Sequence, residues 1–303
     1  MKWELFKKII FKYQRFIKVT ISLLLMAALI RVFVLKFSEL QEVDWAPVLD
    51  SLDLLPVLLL LMLLNWSLEA LKWQAITLDN SFLEAVRVVL VGLLLKQFIP
   101  FGLGELSGRM LADRRTAKKE VAGAFMLVGF IQFAVTVLLG CFGVGWLLSY
   151  TTYDLGQVTV WGLGIALGGI LMIILLKNQI QQAYDRWFDA LGVISSAKLS
   201  RVTVLSLVRY LVFFLQSVVI FGAFIPEAGV WMLSAGISFV FLAKTIVPNV
   251  GFAGDIGVRG FSAVLFFGYF GIGAMPVILA GLCVWVINIF LPSFVALFFI
   301  RKV

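Results

Sequence analysis

Histidine is absent from the chain, which removes the commonest general base and metal ligand and every His-based catalytic triad. The two cysteines, Cys141 and Cys283, lie alone in apolar runs. They form neither a C-x-x-C motif nor a disulfide framework, and are expected to be small buried residues. No G-x-x-x-x-G-K-[ST] segment occurs, so the chain does not read as an ATP-driven pump on its own. Charged residues make up only 14% of the sequence, against about 25% in soluble domains. No cofactor and no metal are implied.

In place of charge there are apolar residues. They account for 62% of the chain, and the mean hydropathy is +1.06. The excess is concentrated in long runs such as Leu54–Leu64, Val121–Leu148 and Val158–Leu176. A helix needs roughly 20 apolar residues to cross a bilayer core. The expected fold is therefore an all-α, polytopic membrane helix bundle of about eight spans, near 19–35, 51–72, 84–99, 121–149, 157–176, 203–224, 229–247 and 276–300. Residues 19–303 read as a single transmembrane domain with repeat halves of roughly 19–176 and 203–303. Residues 178–200 form the longest connection between them, a plausible amphipathic helix.

The formal charge of +8 is explained by topology, and no nucleic-acid partner is expected. Lys2, Lys7, Lys8, Lys12, Arg15 and Lys18 precede the first span, with Glu4 alone against them. Lys36 then faces Glu39, Glu42, Asp44, Asp50 and Asp53. Basic flanks stay cytoplasmic, so both termini are expected inside, with the 36–53 loop outside, in a bacterial inner membrane. The first apolar run has no small-x-small cleavage site after it and reads as a retained anchor. Within residues 1–18, Trp3, Phe6, Ile10, Tyr13 and Ile17 share one helical face, and Lys8, Lys12 and Arg15 share another. That pattern fits a basic interfacial helix on anionic lipid, or equally a flank that merely fixes orientation.

Two stretches fit no simple span. One runs Lys96-Gln-Phe-Ile-Pro100-Phe-Gly102-Leu-Gly104-Glu105-Leu-Ser-Gly108-Arg109. The other runs Lys244-Thr-Ile-Val-Pro248-Asn-Val-Gly251-Phe-Ala-Gly254-Asp255-Ile-Gly257-Val-Arg259. Proline fixes φ and lacks an N–H, and glycine permits φ > 0, so each helix should break there. Pro100, Gly102, Gly104, Pro248, Gly251 and Gly254 are the expected breaking residues. Broken backbone at membrane depth needs protein cover or a wet cavity. A helix can restart near each acidic residue and return to the side it came from. Both stretches read Lys-x-x-x-Pro, then a Gly-rich turn, then Gly-acid-x-x-x-Arg. With the termini inside, one hairpin returns inward and the other outward. Such an inverted pair of interrupted helices points to a transporter site near the midplane; two unrelated proline kinks are the plainer explanation.

Ionisable groups at membrane depth cost several kcal/mol and usually pair or face a cavity. Glu105–Arg109 and Asp255–Arg259 sit at helical i, i+4 spacing. Local pairing would leave Lys96 and Lys244 available for an anionic group, aided by the half-helix N-termini near Gly104 and Gly254. Lys96, Arg109, Lys244 and Arg259 are the candidate headgroup contacts; Glu105 and Asp255 would pair with the cations or exchange a proton. The competing role is a purely structural lock between hairpins. Arg209 is a secondary candidate, able either to line the cavity or to reach the inner interface. Asn65, Glu69 and Lys72 are assigned to capping or snorkelling. Arg31 is expected at the interface, Gln132 and Asn288 as interhelical glue, and Gly164-x-x-x-Gly168 as close packing. Trp66, Trp73, Trp146 and Trp161 suit an aromatic belt.

At Ile99-Pro100-Phe-Gly-Leu-Gly-Glu105-Leu-Ser-Gly-Arg109 and Val247-Pro248-Asn-Val-Gly251-Phe-Ala-Gly254-Asp255, the chain resembles the flippase-like domain family, also called the lysylphosphatidylglycerol synthase transmembrane region. The resemblance in span count and hairpin placement covers nearly the whole chain. It implies movement of lipids, notably aminoacylated phosphatidylglycerol, between leaflets. The large synthases add a soluble aminoacyl-transferase domain, whereas the present sequence stops at Val303; aminoacylation is therefore not expected. The expected activity is that of a lipid translocase and not an enzyme, with a phospholipid or other lipid-linked substrate as partner. A non-transporting scaffold for a lipid-modifying enzyme is the alternative. An intramembrane headgroup transferase is weaker, since only Glu105 or Asp255 could serve as base. Cargo and oligomeric state are left open.

Overall fold

The computed structural model describes residues 45–77, 81–99, 103–150, 195–247 and 251–300, with single positions within 20–35. The interfacial helix at 1–18, the span at 157–176, Gly164, Gly168 and Trp161 fall outside the described residues, as do Pro100, Gly102 and Pro248.

All regular structure among the described residues is helical. After a short helical lead-in over Ala46–Asp50 and Ser51–Leu54 come α1 (Leu55–Ile76), α2 (Phe82–Phe98), α3 (Leu103–Ala112) and α4 (Lys118–Ser149). Then follow α5 (Ser196–Phe224), α6 (Val230–Ile246), α7 (Gly251–Tyr269), α8 (Ala274–Trp285) and α9 (Leu291–Ile300). A π-helical segment, Val286–Phe290, joins α8 to α9. Among the described residues, four helical stretches are long and apolar enough to cross a membrane: Val48–Ile76, α4, α5 and Ala274–Phe299. The polytopic membrane character read from the sequence is thus present.

Local signals start these helices. Pro56 occupies the first turn of α1, where a missing N–H costs nothing. Ser81 and Glu84 form a reciprocal capping box on α2, satisfying two otherwise orphaned donors. Ser195 caps α5 through the Lys198 amide. Helix α5 begins at Ser196, so the last residues of the expected 178–200 connection already belong to it.

The long helices are apolar all round. Large side chains such as Leu60, Leu63, Phe130, Leu138 and Leu211 are exposed, as expected where lipid is the solvent. Cys141 is also exposed and Cys283 half-buried. The expectation of two buried cysteines fails because Cys141 lies between Leu138 and Phe142 on the outer side of α4. Arg31 is exposed.

Contacts between helices give their run directions. Leu58 meets Gln216 and Glu69 meets Arg209, so α1 and α5 are antiparallel. Tyr210 packs on Phe241 and Gly222 approaches Leu233, so α5 and α6 are antiparallel too. Helix α6 therefore runs with α1. Helix α2 follows α1 after a short connection and runs against it.

Candidate functional site

The site is built around two breaks in the chain. Helix α2 ends at Phe98, and Ile99 turns extended at φ −105°, ψ 119°. Helix α6 ends at Ile246, and Val247 is extended at φ −75°, ψ 123°. Both extended residues precede proline, whose ring disfavours helical backbone at the position before it. With 17 residues each, α2 and α6 rise only about 26 Å, short of the roughly 30 Å hydrocarbon core.

Helix α3 then lies back along α2, made possible by glycine. A Cβ on Gly108 would sit 2.7 Å from the Gly92 Cα, and one on Gly104 would sit 2.4 Å from the Leu95 carbonyl oxygen. Helix α7 lies back along α6 in the same manner. Gly236 meets the Phe267 ring near the base of the pair, and Lys244 pairs with Asp255 near its tip. The two tips touch. Gly251, at φ +59°, opens α7 with its α-carbon so close to the Gln97 carbonyl that an added Cβ would lie 2.9 Å from the oxygen. A left-handed backbone in such close contact favours glycine on both counts.

At the first tip, Lys96 donates to Glu105 at 2.9 Å, and Arg109 donates to the other Glu105 oxygen at 2.7 Å. Arg109 also reaches Glu69 on α1 at 2.8 Å. Glu69 in turn holds Lys72 at 2.7 Å and Arg209 on α5 at 3.4 Å. The Arg109 guanidinium stands 4.7 Å from the Trp73 ring centroid and 5.5 Å from that of Phe125, a cation–π setting that strengthens when desolvated. Gln132 on α4 accepts from Lys72 at 2.8 Å and from Arg209 at 3.4 Å.

At the second tip, Asp255 pairs with Lys244 and with Arg259, the latter at 3.2 Å. The Arg259 guanidinium lies over Phe213. Beside this tip, Asn65 donates to Asn288, which donates to Gln216, which donates to the Leu58 carbonyl. The Trp66 indole donates to the Asn288 carbonyl at 2.9 Å. The π-helical segment places Asn288 here, a common use of such segments at functional sites.

These side chains face two cavities. A cavity of about 130 Å³ lies between the tips, bordered by Lys96, Gly251 and Asp255 together with Lys244 and Arg259. A second, of about 330 Å³, is bordered by Glu69, Lys72, Glu105, Arg109 and Gln132. Trp66, Lys96 and Arg209 border both. The structure thus brings together all six charged residues singled out at the hairpins, and adds Arg209 as a cavity residue.

Three sequence readings change. Lys96 and Lys244 are not left over for a ligand; each is engaged by the carboxylate of its own hairpin. Glu69 and Lys72 neither cap nor snorkel, for Lys72 is 0% and Glu69 6% exposed, and both lie in the central network. Asn65 likewise is buried against Asn288. Trp73 is fully buried against Arg109 and Trp66 borders the cavities, so neither belongs to an interfacial belt. Gln216, on a face of α5 related to that of Arg209, joins this network through Asn288 and the Leu58 carbonyl. A signal did exist for Glu69 and Lys72: opposite charges at i, i+3 inside an apolar helix, an arrangement that usually marks a buried pair.

The family model of the lysylphosphatidylglycerol synthase TM region matches residues 15–296. The chain belongs to that family. No curated protein and no solved structure matches it. Within this member of the lysylphosphatidylglycerol synthase TM region family, the two hairpin segments that carried the resemblance are the ones that meet at the cavity.

Proposed function

We propose that this protein is a lipid translocase, passing the headgroup of a membrane lipid through the charged cavities while the acyl chains stay in the bilayer. The contact between the two hairpin tips, Gln97 against Gly251, carries this reading. It puts cations from both halves of the chain around one small polar space.

In this reading the α2–α3 and α6–α7 pairs are re-entrant hairpins that enter from opposite faces, since α2 and α6 run in opposite directions. They form an inverted repeat within a domain of about eight spans in a bacterial inner membrane, termini cytoplasmic. Rocking one half against the other would open the cavities to each leaflet in turn. Lys96, Arg109, Lys244 and Arg259 would hold the headgroup, and Glu105 and Asp255 would release them from their resting pairs. Membership of the lysylphosphatidylglycerol synthase TM region family supports a lipid as the cargo. No bond-making chemistry is assigned to the site.

The test is leaflet exchange of labelled phospholipids in proteoliposomes containing the full chain. Exchange should be protein-dependent and should fall at least tenfold in Lys96→Met and Lys244→Met. A correctly folded protein that exchanges no bacterial lipid would overturn the proposal. One observation favours a second reading, a membrane scaffold for a separate lipid-modifying enzyme: both hairpin lysines already have carboxylate partners. A scaffold would retain its partner and phenotype in the same two variants.

A further inference from the structure

The larger cavity extends beyond the hairpin motifs to Glu69, Lys72 and Arg209, and the walls of the two cavities carry an imbalance of charge. Six cations border the two cavities: Lys72, Lys96, Arg109, Arg209, Lys244 and Arg259. Only three carboxylates face them, Glu69, Glu105 and Asp255. Three positive charges are therefore uncompensated among the described lining residues. Each cation shares a carboxylate with at least one other; charge in excess of its counter-charge is costly at membrane depth, and an anion entering the site would offset it.

Arg109 shows where. It is 2% exposed, and although one nitrogen serves Glu69 and Glu105, its Nε and Nη1 have no hydrogen-bond partner among the described residues. A guanidinium presents its donors as a planar fork that matches phosphate oxygens. Arg209 stands on the wall common to both cavities, with Lys96 beside it. Arg109 in the wall of the larger cavity and Arg209 in the wall of both thus carry more donors than a single phosphodiester would engage.

On the reading of the site as a lipid path, we propose that its cargo is a lipid whose headgroup bears at least two negative charges, a phosphomonoester or a diphosphate. Glu69, Lys72, Arg109 and Arg209 then form a second subsite in the larger cavity, beside the one between the hairpin tips. A phosphomonoester carries about −1.5 to −2 near neutral pH. A zwitterionic headgroup carries no net charge, and an aminoacylated one adds ammonium groups that the surplus cations repel. The inference therefore sets this chain apart from carriers of aminoacylated phosphatidylglycerol.

Binding to the purified full chain in nanodiscs of neutral lipid tests this, using farnesyl phosphate, farnesyl diphosphate, short-chain phosphatidylethanolamine, short-chain lysylphosphatidylglycerol and inorganic pyrophosphate as probes. The two farnesyl phosphates should bind at least tenfold tighter than the zwitterionic and aminoacylated lipids, about 1.4 kcal/mol. Arg209→Gln and Lys72→Met should reduce that preference to threefold or less. Glu69→Gln, which enlarges the surplus, should increase it. The comparison among ligands on the unmodified protein stands even if a variant fails to fold. Equal binding of all lipids, or tighter binding of lysylphosphatidylglycerol, would overturn the inference. Pyrophosphate binding as tightly as farnesyl diphosphate would make the ligand a free anion and overturn it too. Leaflet exchange without preference for multiply charged lipids would refute this inference alone, whereas absence of any exchange refutes the translocase reading beneath it.

Discussion

Glu69 is the most connected acid of the site: 6% exposed, it faces Lys72, Arg109 and Arg209. Removing one partner of a buried pair leaves an uncompensated charge and typically costs 3–5 kcal/mol. Glu69→Ala should therefore lower stability by about that amount, measured as unfolding of the purified protein in detergent. Arg109→Met should cost a similar amount, and the double variant much less than the two together, because contacting residues couple. Additive losses would place the two side chains out of contact. The i, i+3 spacing marked Glu69 and Lys72 as a pair, but their partners on other helices were not legible from the residues alone. Helix α1 is apolar on every side, so no stripe tells which polar residue faces inward, and a Lys72 near a helix end fits snorkelling as well as burial. The long aliphatic stem allows both; only Gln132 on α4 and Glu69 on α1 decide between them.

The hairpins depend on glycine wherever two helices must come closer than side chains permit. Gly108 against Gly92 is one of the close crossings of α3 on α2. Gly108→Ala should destabilise by about 1–3 kcal/mol through overpacking and displace Arg109, reducing any transport further. Gly129 on α4 has open space where a Cβ would go. Gly129→Ala should therefore be neutral or stabilise by up to about 1 kcal/mol through helix propensity. Comparing the two melting temperatures checks the pair; equal responses would mean that the α2–α3 crossing is not as close as described. The breaks themselves were legible, because proline acts on the residue before it and needs no tertiary partner. Ile99 and Val247 are extended as that rule demands. The π-helical turn at Val286–Phe290 left no such mark, since VINIF contains neither proline nor glycine.

At the scale of the whole molecule, the proposed function rests on the contact between the two halves at Gln97 and Gly251. Gly251→Ala puts a Cβ 2.9 Å from the Gln97 carbonyl oxygen on a left-handed backbone, and should destabilise the folded protein by about 1–3 kcal/mol and reduce leaflet exchange. Unchanged melting temperature and exchange in this variant would separate the two tips and dismantle the cavity between them. The sequence by itself determined that the chain is an apolar helical membrane protein, where its helices break, and which ionisable residues flank the breaks. These properties follow from local composition, from proline and glycine geometry and from the cost of charge in hydrocarbon, all of which act over a few residues. The tertiary structure alone decided the partners of those charges, the burial of Lys72 and Trp73, and the outward position of Cys141. Such choices depend on helix crossings between residues 40 apart, as for Arg109 and Glu69, or 223 apart, as for Asn65 and Asn288. A helix that is apolar all round carries no local record of which neighbour it will meet.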